Sequence, residues 1–245
     1  MKENEEKETD ARRQEAKKSS PLRELFSWIE IIVAAVLIAF VLNTFIIANS
    51  RIPSGSMENT IMTKDRVIGL RLSYTFGDPE RDDIAIFKFG WICNRCGRGS
   101  GEGEAPETCP VCGQEITRPK TLYYVKRVIG LPGDVIEIKP EGSVRAGDLA
   151  ELPPGLTPED ADKELVTAAL YVNGEKIEEP YLHEPMLYSG EMRTHFEVPE
   201  NCYLMLGDNR NNSGDARYWE NPYISEDKMV AKVLFRYWPS PALLH

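Results

Sequence analysis

The sequence predicts a mainly β protein: an antiparallel β-sheet domain preceded by one N-terminal transmembrane helix and carrying a small four-cysteine insertion. Three observations predict it. They are a charge-free apolar run near the N-terminus, a series of short segments rich in β-branched and aromatic residues beyond residue 60, and two Cys-x-x-Cys pairs lying between two of those segments. The 245 residues are 42% apolar and 28% charged, which allows one substantial core with appendages and does not match a disordered chain.

The helix comes first. Ile31 to Ser50 are twenty residues without a charge, and the apolar character begins near Leu25. At about 1.5 Å per residue that run spans a bilayer's hydrocarbon core. Glu30 stands at one end of it, where the headgroup region tolerates an acid. The run exceeds the roughly 7–15 apolar residues of a signal peptide, no convincing small-residue cleavage site follows it, and a core helix is seldom apolar all round for so long. Residues 25–48 therefore read as a membrane anchor. Arg12, Arg13, Lys17, Lys18 and Arg23 precede the span while Arg51 alone follows at once. That bias makes residues 1–24 a cytoplasmic tail and puts the rest of the chain on the extracytoplasmic side of the cell membrane.

The strands follow. "DIAIFKF" (83–89), "LYYVKRVIG" (122–130), "DVIEIK" (134–139), "CYLMLGD" (202–208) and "MVAKVLFRYW" (229–238) have strand composition. Leu-Pro-Gly-Asp at 131–134 and Asn173-Gly174 after "LYV" are turn signals, the latter of type I′. Residues 49–92 and 121–245 thus form one β domain interrupted at 93–120. Within it, "TPEDADKELVTA" (157–168) reads as a helix, with Thr157 as cap, Pro158 at the first helical position and acids in the first turn. It falls in a solvated acidic insertion, 141–170.

Charge excludes one function class. The formal net charge is −10; residues 1–20 balance at six basic against six acidic residues, while 137–179 hold eleven acids against four bases. A nucleic-acid binder would carry a basic face instead. The three histidines, 183, 195 and 245, lie in neither H-E-x-x-H nor G-x-S-x-G, and read as ordinary loop, strand and terminal residues.

Cys93 and Cys96 in "CNRC", and Cys109 and Cys112 in "CPVC", are separated by twelve residues, and each pair is followed by glycine. Two such turns offer four thiolates to a tetrahedral ion, the pattern of a zinc ribbon with a structural zinc. Two disulfides are the alternative that an extracytoplasmic location permits. The intervening "GRGSGEGEAPET" has almost nothing to bury, so one staple or the other is required. Cys202 stands alone in a strand and reads as a small buried hydrophobe.

Two further features carry chemistry. "IPSGSM" (52–57) is a small, hydroxyl-bearing turn just past the apolar run, and Lys126 shares a strand face with Leu122, Tyr124 and Val128. Burial there would lower the lysine pKa and create a general base; a stem that snorkels to a sheet edge would leave an ordinary lysine.

Four blocks in order, "IPSGSM", "DDIAIFKF" (82–89), "YVKRVIGLPGD" (124–134) and "GDNRNNSGDAR" (207–217), resemble bacterial type I signal peptidases, membrane-bound serine proteases with a Ser-Lys dyad. The resemblance implies Ser56 as nucleophile and Lys126 as general base, with Ser54 assisting the oxyanion hole. It implies that Ser213 orients the lysine, and that Asp215 and Arg217 hold that wall of the site. It implies no cofactor for catalysis. As partners it implies signal peptides of exported precursors, the lipid bilayer and the protein export machinery. The cysteine segment and residues 141–170 fall between the blocks and depart from the more familiar members. Another membrane-tethered Ser-Lys peptidase and a non-catalytic zinc-ribbon binding protein are the competing classes, separated by an assay on an exported precursor.

Overall fold

The structure is a computed structural model that describes residues 21–153 and 155–244. The expected tail over 1–20 and His245 lie outside the described residues. The chain divides into two compact units, Met1–Phe45 and Ile46–His245.

Helix α1, Pro21–Val41, lies in the first unit and is continued by a π-helical turn over Leu42–Ile46, whose last residue begins the second. Leu22–Ile46 is one helix long and apolar enough to cross a membrane, with a mean hydropathy of 2.7. Polar side chains (Arg23, Glu24, Ser27, Glu30) are confined to its first turns, and from Ile31 to Val41 every residue is apolar, so over that stretch the helix has no polar side to turn to water. Its one polar amide near the C-terminal end is satisfied within the helix, Asn43 Nδ2 donating to the Ala39 carbonyl at 2.9 Å.

The second unit is built from two antiparallel sheets. Its strands are β1 Ile47–Arg51, β2 Arg66–Leu70, β3 Ile84–Ile92, β4 Ser100–Glu102, β5 Lys120–Gly130, β6 Val135–Arg145, β7 Glu164–Val172, β8 Glu175–Lys176, β9 His195–Glu197, β10 Cys202–Leu206, β11 Tyr223–Ser225, β12 Met229–Trp238 and β13 Ala242–Leu243. The larger sheet runs β1-β2-β12-β3-β5-β10-β11, with β13 on β12 and β4 on β3; the smaller runs β8-β7-β6-β9. Phe87, Val128 and Leu206 of the larger sheet share one buried core with Ile136, Leu170 and Phe196 of the smaller. A second core under β1, β2 and β12 gathers Ala48, Val67, Ile86 and Val233 with Ile52, Met57 and Ile61 of the β1–β2 connection.

The β1–β2 connection positions the serine turn. The ladder continues past Arg51↔Arg66 through Ile52 N–H to the Asp65 carbonyl (2.9 Å) and Lys64 N–H to the Ile52 carbonyl (2.8 Å). Residues 53–63 are therefore pinched into a closed loop. Met57, 1% exposed, plugs it into the core.

Asn173 and Gly174 join β7 to β8 with φ of 53° and 87°, the two positive values that a type I′ turn requires. The expected helix over 157–168 is not formed. A single 3-10 turn, Pro158–Asp160, uses the capping residues, the Asp160 carboxylate accepting from the Thr157 N–H (2.9 Å) and hydroxyl (3.0 Å). From Glu164 onward the chain is β7, paired with β6 from Arg145↔Glu164 to Ile136↔Val172. The cap was real, but "ELVTAALYV" has strand composition and a long partner to pair with, and tertiary pairing overrides a local start signal.

The cysteine segment continues the β3–β5 ribbon. β4 closes onto β3 with Trp91 opposite Gly101, and Trp91, Cys93, Cys109 and Ile116 make a separate small core. A Cβ on Gly90 would stand 1.9 Å from the Gly101 carbonyl oxygen, so the approach of these strands demands glycine there.

Candidate active site

Ser56 sits in a turn closed by the Glu58 N–H on the Gly55 carbonyl, 3.0 Å. Gly55 allows a close approach: a Cβ there would lie 2.7 Å from the Glu58 carboxylate. Among the described residues neither the Ser56 N–H nor the Ser54 hydroxyl has a hydrogen-bond partner, so both donors are unspent.

Lys126 comes from the middle of β5, opposite Ala85 of β3. Its side chain is 3% exposed, so it does not snorkel to an edge. Nζ donates to Ser213 Oγ at 3.0 Å and lies 5.9 Å from the centre of the Tyr124 ring. Burial lowers the lysine pKa to about 8; the Asp215 carboxylate opposes that shift and the Arg217 guanidinium reinforces it. At neutral pH a usable fraction of this amine is therefore unprotonated.

The wall behind the lysine is residues 207–217. Arg217 grips Asp215 with two bonds, Nε to Oδ1 at 2.8 Å and Nη2 to Oδ2 at 2.9 Å, and Nη2 also reaches the Arg210 carbonyl at 2.6 Å. The Gly207 N–H donates to Asp215 Oδ2 at 3.1 Å. Complete burial by itself pushes the Asp215 carboxyl up, but Arg217, Lys126 and these bonds hold it below the ordinary carboxylate value. Gly207 itself is a contact point. A Cβ on it would stand 2.3 Å from Ser213 Oγ and 2.4 Å from the Ser56 carbonyl oxygen.

Ser54, Ser56 and Lys126 line one cleft of about 590 Å³ with Ile52, Met57, Ile92, Leu122, Tyr124 and Val125. The floor is largely apolar, and Asn212 and Gly214 bring the Ser213 segment to its rim. Of the residues singled out from sequence, the structure thus brings Ser54, Ser56, Lys126 and Ser213 to one place, with Asp215 and Arg217 buried behind them.

The four cysteines form a second constellation. The sulfurs of Cys93, Cys96, Cys109 and Cys112 all lie within 4.8 Å of one another, with Cys93 to Cys112 at 4.0 Å and Cys96 to Cys109 at 3.9 Å. A tetrahedron with metal–sulfur bonds of about 2.3 Å has edges of about 3.8 Å, so the residues present fit an ion. Both distances greatly exceed the ~2.05 Å of a disulfide. The Gly99 and Arg98 amides bring the Cys96 thiol down to about 6. The Gln114 amide favours a Cys112 thiolate too, but desolvation and the crowding of Cys109, Cys96 and Cys93 push that thiol up to about 11. Four thiols this close need a cation to ionise together.

The chain matches the family model "Signal peptidase, peptidase S26" over residues 25–150 and 161–238. It belongs to that family. Among curated relatives, a probable signal peptidase I-2 of Synechocystis sp. is 30% identical over 231 residues, covering 92% of this chain and 79% of its own length. Signal peptidase IB of Staphylococcus aureus is 29% identical over 238 residues, covering 91% and 94%. A crystal structure of a signal peptidase I from Enterococcus faecalis V583 aligns with 63% of this chain and 96% of its own at 22% identity and a TM-score of 0.32; family membership rests on the preceding matches.

For this signal peptidase, three features escaped the sequence reading. Asn209 ties the serine turn down, its N–H to the Ser56 carbonyl at 3.1 Å and Nδ2 to the Gly55 carbonyl at 3.2 Å. Arg127, beside the lysine but on the opposite strand face, pairs with Asp208 through Nε–Oδ1 at 2.9 Å and Nη2–Oδ2 at 2.6 Å, and stacks 3.9 Å over Tyr181. Asp208 also accepts from the Thr60 hydroxyl at 2.6 Å. Nothing in a strand pattern announces partners 81 or 148 residues away; the polar density of "GDNRNNSGDAR" was the available signal. Cys202 packs against the main core but is only half-buried, less covered than the small buried hydrophobe expected of it.

Proposed function

We propose that this signal peptidase removes N-terminal signal peptides from exported precursor proteins through a Ser56–Lys126 dyad. The observation that carries the reading is a lysine buried on a largely apolar cleft wall, whose one hydrogen-bond partner among the described residues is a serine hydroxyl, in the same cleft as Ser56. Burial disfavours the ammonium and so populates the neutral amine, and a neutral amine in one cleft with a serine hydroxyl is the arrangement for nucleophile activation.

In the mechanism, neutral Lys126 takes the proton of the Ser56 hydroxyl as Oγ attacks the carbonyl carbon at the cleavage site. The Ser56 N–H and the Ser54 hydroxyl receive the developing oxyanion. Collapse expels the new N-terminal amine of the mature chain, which takes from Lys126 the proton that came from Ser56, and leaves an acyl ester on Ser56. Water then gives a proton to Lys126 and attacks the ester, and the ammonium returns that proton to Ser56. Ser213 holds the amine in place, and Asp215 with Arg217 fixes the wall that bears Ser213.

The apolar cleft suits small side chains at substrate positions −1 and −3, presented alternately by an extended strand. Ser56 follows the end of the apolar helix by ten residues along the chain, 46 to 56, which suits a substrate whose cleavage site directly follows its own apolar segment. The helix anchors the enzyme in the cell membrane with residues 1–24 cytoplasmic and the β domain extracytoplasmic, within reach of the export machinery. Cys93, Cys96, Cys109 and Cys112 hold a structural zinc, a closed shell of four thiolates that leaves no position for water and takes no part in the chemistry. Cleavage of a signal-peptide-bearing precursor by wild type beside Ser56→Ala tests the reading: an active Ser56→Ala variant would end it.

A further inference from the structure

The peptide unit that carries the Ser56 N–H is the one whose carbonyl belongs to Gly55. In a trans peptide the two groups are fixed antiparallel, so whatever holds the Gly55 oxygen also aims the Ser56 N–H. Two donors hold that oxygen. The Glu58 N–H, at 3.0 Å, belongs to the turn itself; Asn209 Nδ2, at 3.2 Å, comes from the segment after β10, and lies 3.5 Å from Glu58 Oε2 as well. The next peptide plane is held by the same residue, because the Asn209 N–H donates to the Ser56 carbonyl at 3.1 Å. Asn209 is 4% exposed, so its amide is committed to these partners and not to bulk solvent, although Gly55 and Ser56 themselves are only partly covered.

We infer that Asn209 is the positioning residue of the oxyanion hole: its side-chain amide orients the peptide plane that carries the Ser56 N–H and strengthens that N–H as a donor, while its backbone N–H, which another residue would also supply, holds the next plane. The inference rests on Ser56 being the nucleophile. The Glu58 bond holds the Gly55 carbonyl only against its own turn, and Met57 and Thr60 anchor the loop beyond the serine; Asn209 ties the Gly55–Ser56 peptide itself to the wall that presents Ser213 to Lys126. A peptide whose carbonyl accepts a hydrogen bond is also polarised toward a stronger N–H donor, since hydrogen bonds in series reinforce one another at low dielectric. The benefit falls on the transition state, where the negative charge appears, and leaves ground-state binding in the apolar cleft unchanged.

The test uses the full-length enzyme with a precursor substrate, comparing wild type, Asn209→Ala, Asn209→Leu and Ser56→Ala. Leucine keeps the shape of asparagine and lacks the amide, so it repairs a cavity but not a lost donor. Both Asn209 variants should lose about tenfold or more in kcat, with KM within about twofold. The limb of the pH profile near 8 should stay where it is, because Lys126 is untouched. A peptide aldehyde ending in alanine supplies a second readout. Ser56 Oγ adds to its carbonyl carbon, the hydroxyl proton passes to Lys126, and the former carbonyl oxygen occupies the oxyanion position. Its inhibition constant should rise by the factor lost from kcat/KM, while the corresponding peptide alcohol, which forms no adduct, binds as before. Wild-type kcat in both variants, rescue by leucine, equal weakening of aldehyde and alcohol, or failure of both variants to fold would each overturn the inference. A Ser56→Ala enzyme that still cleaves would overturn the nucleophile assignment instead; a dead Ser56→Ala beside unaffected Asn209 variants would sink only the role of Asn209.

Discussion

Lys126 Nζ donates to Ser213 Oγ at 3.0 Å across 87 residues of sequence, and both side chains are buried. The hydroxyl accepts from the ammonium and can equally donate to the free amine, so the contact survives the proton transfer of the proposed mechanism. What changes with pH is the charge on the amine.

Activity should therefore rise with pH through about 8, the value to which burial lowers Lys126. Below it the ammonium dominates and cannot accept the Ser56 proton. Lys126→Arg should be inactive at every pH, because a guanidinium keeps its proton. The linkage has the opposite sign to that of a paired lysine. The folded state resists protonation that the unfolded chain accepts, so stability rises between about 8 and the ordinary lysine value and is lowest below 8. Lys126→Met should accordingly melt no lower than wild type at pH 7, as thermal unfolding at several pH values would show.

Asp215→Asn should move the alkaline-rising limb toward lower pH. The carboxylate raises the Lys126 pKa and Arg217 lowers it, so removing the carboxylate leaves two cations facing each other. The same change strands a buried guanidinium, at a cost on the order of 3–5 kcal/mol. A pH–rate profile and a melting curve read the two effects separately.

Gly207→Ala should abolish processing, by about a hundredfold or more, because its methyl would enter the space of Ser213 Oγ and the Ser56 backbone oxygen. The Ser56 carbonyl is backbone and cannot swing aside, so the serine turn and the lysine wall must part. Precursor cleavage near that of wild type would show that the site tolerates such a separation.

Cys109→Ser should bind no zinc, melt earlier and keep some cleavage at low temperature. The small core of Trp91, Cys93, Cys109 and Ile116 cannot order the segment alone, and β5 runs from that segment to Lys126. About one zinc per chain is expected from metal analysis under reducing conditions. A chelator should loosen the fold by circular dichroism before it stops cleavage. Immediate inactivation with the fold intact would give the metal a different role.

The sequence by itself determined the elements whose physics is local. The charge-free run, the alternation that set Lys126 among Leu122, Tyr124 and Val128, the Asn173-Gly174 turn and the spacing of the cysteine pairs are all read within a dozen or so residues, because backbone geometry repeats at that scale. Even so, local signals could not arbitrate when two were present. Thr157 and Pro158 announce a helix, yet β7 forms because β6 offers it a ladder, and a ladder partner is invisible from within the segment. The tertiary structure alone decided that the Lys126 face is covered and not an edge, since the cover is residues 207–217, delivered by β10 pairing with β5. It decided likewise that Asn209 grips the Gly55 and Ser56 carbonyls and that Asp208 holds Arg127 and Thr60 at once. These contacts join residues 81 to 154 positions apart. Which of many polar groups meet at that separation is set by how the sheet closes, because the closure of long loops is decided by the sum of all strand pairings and not by any one segment.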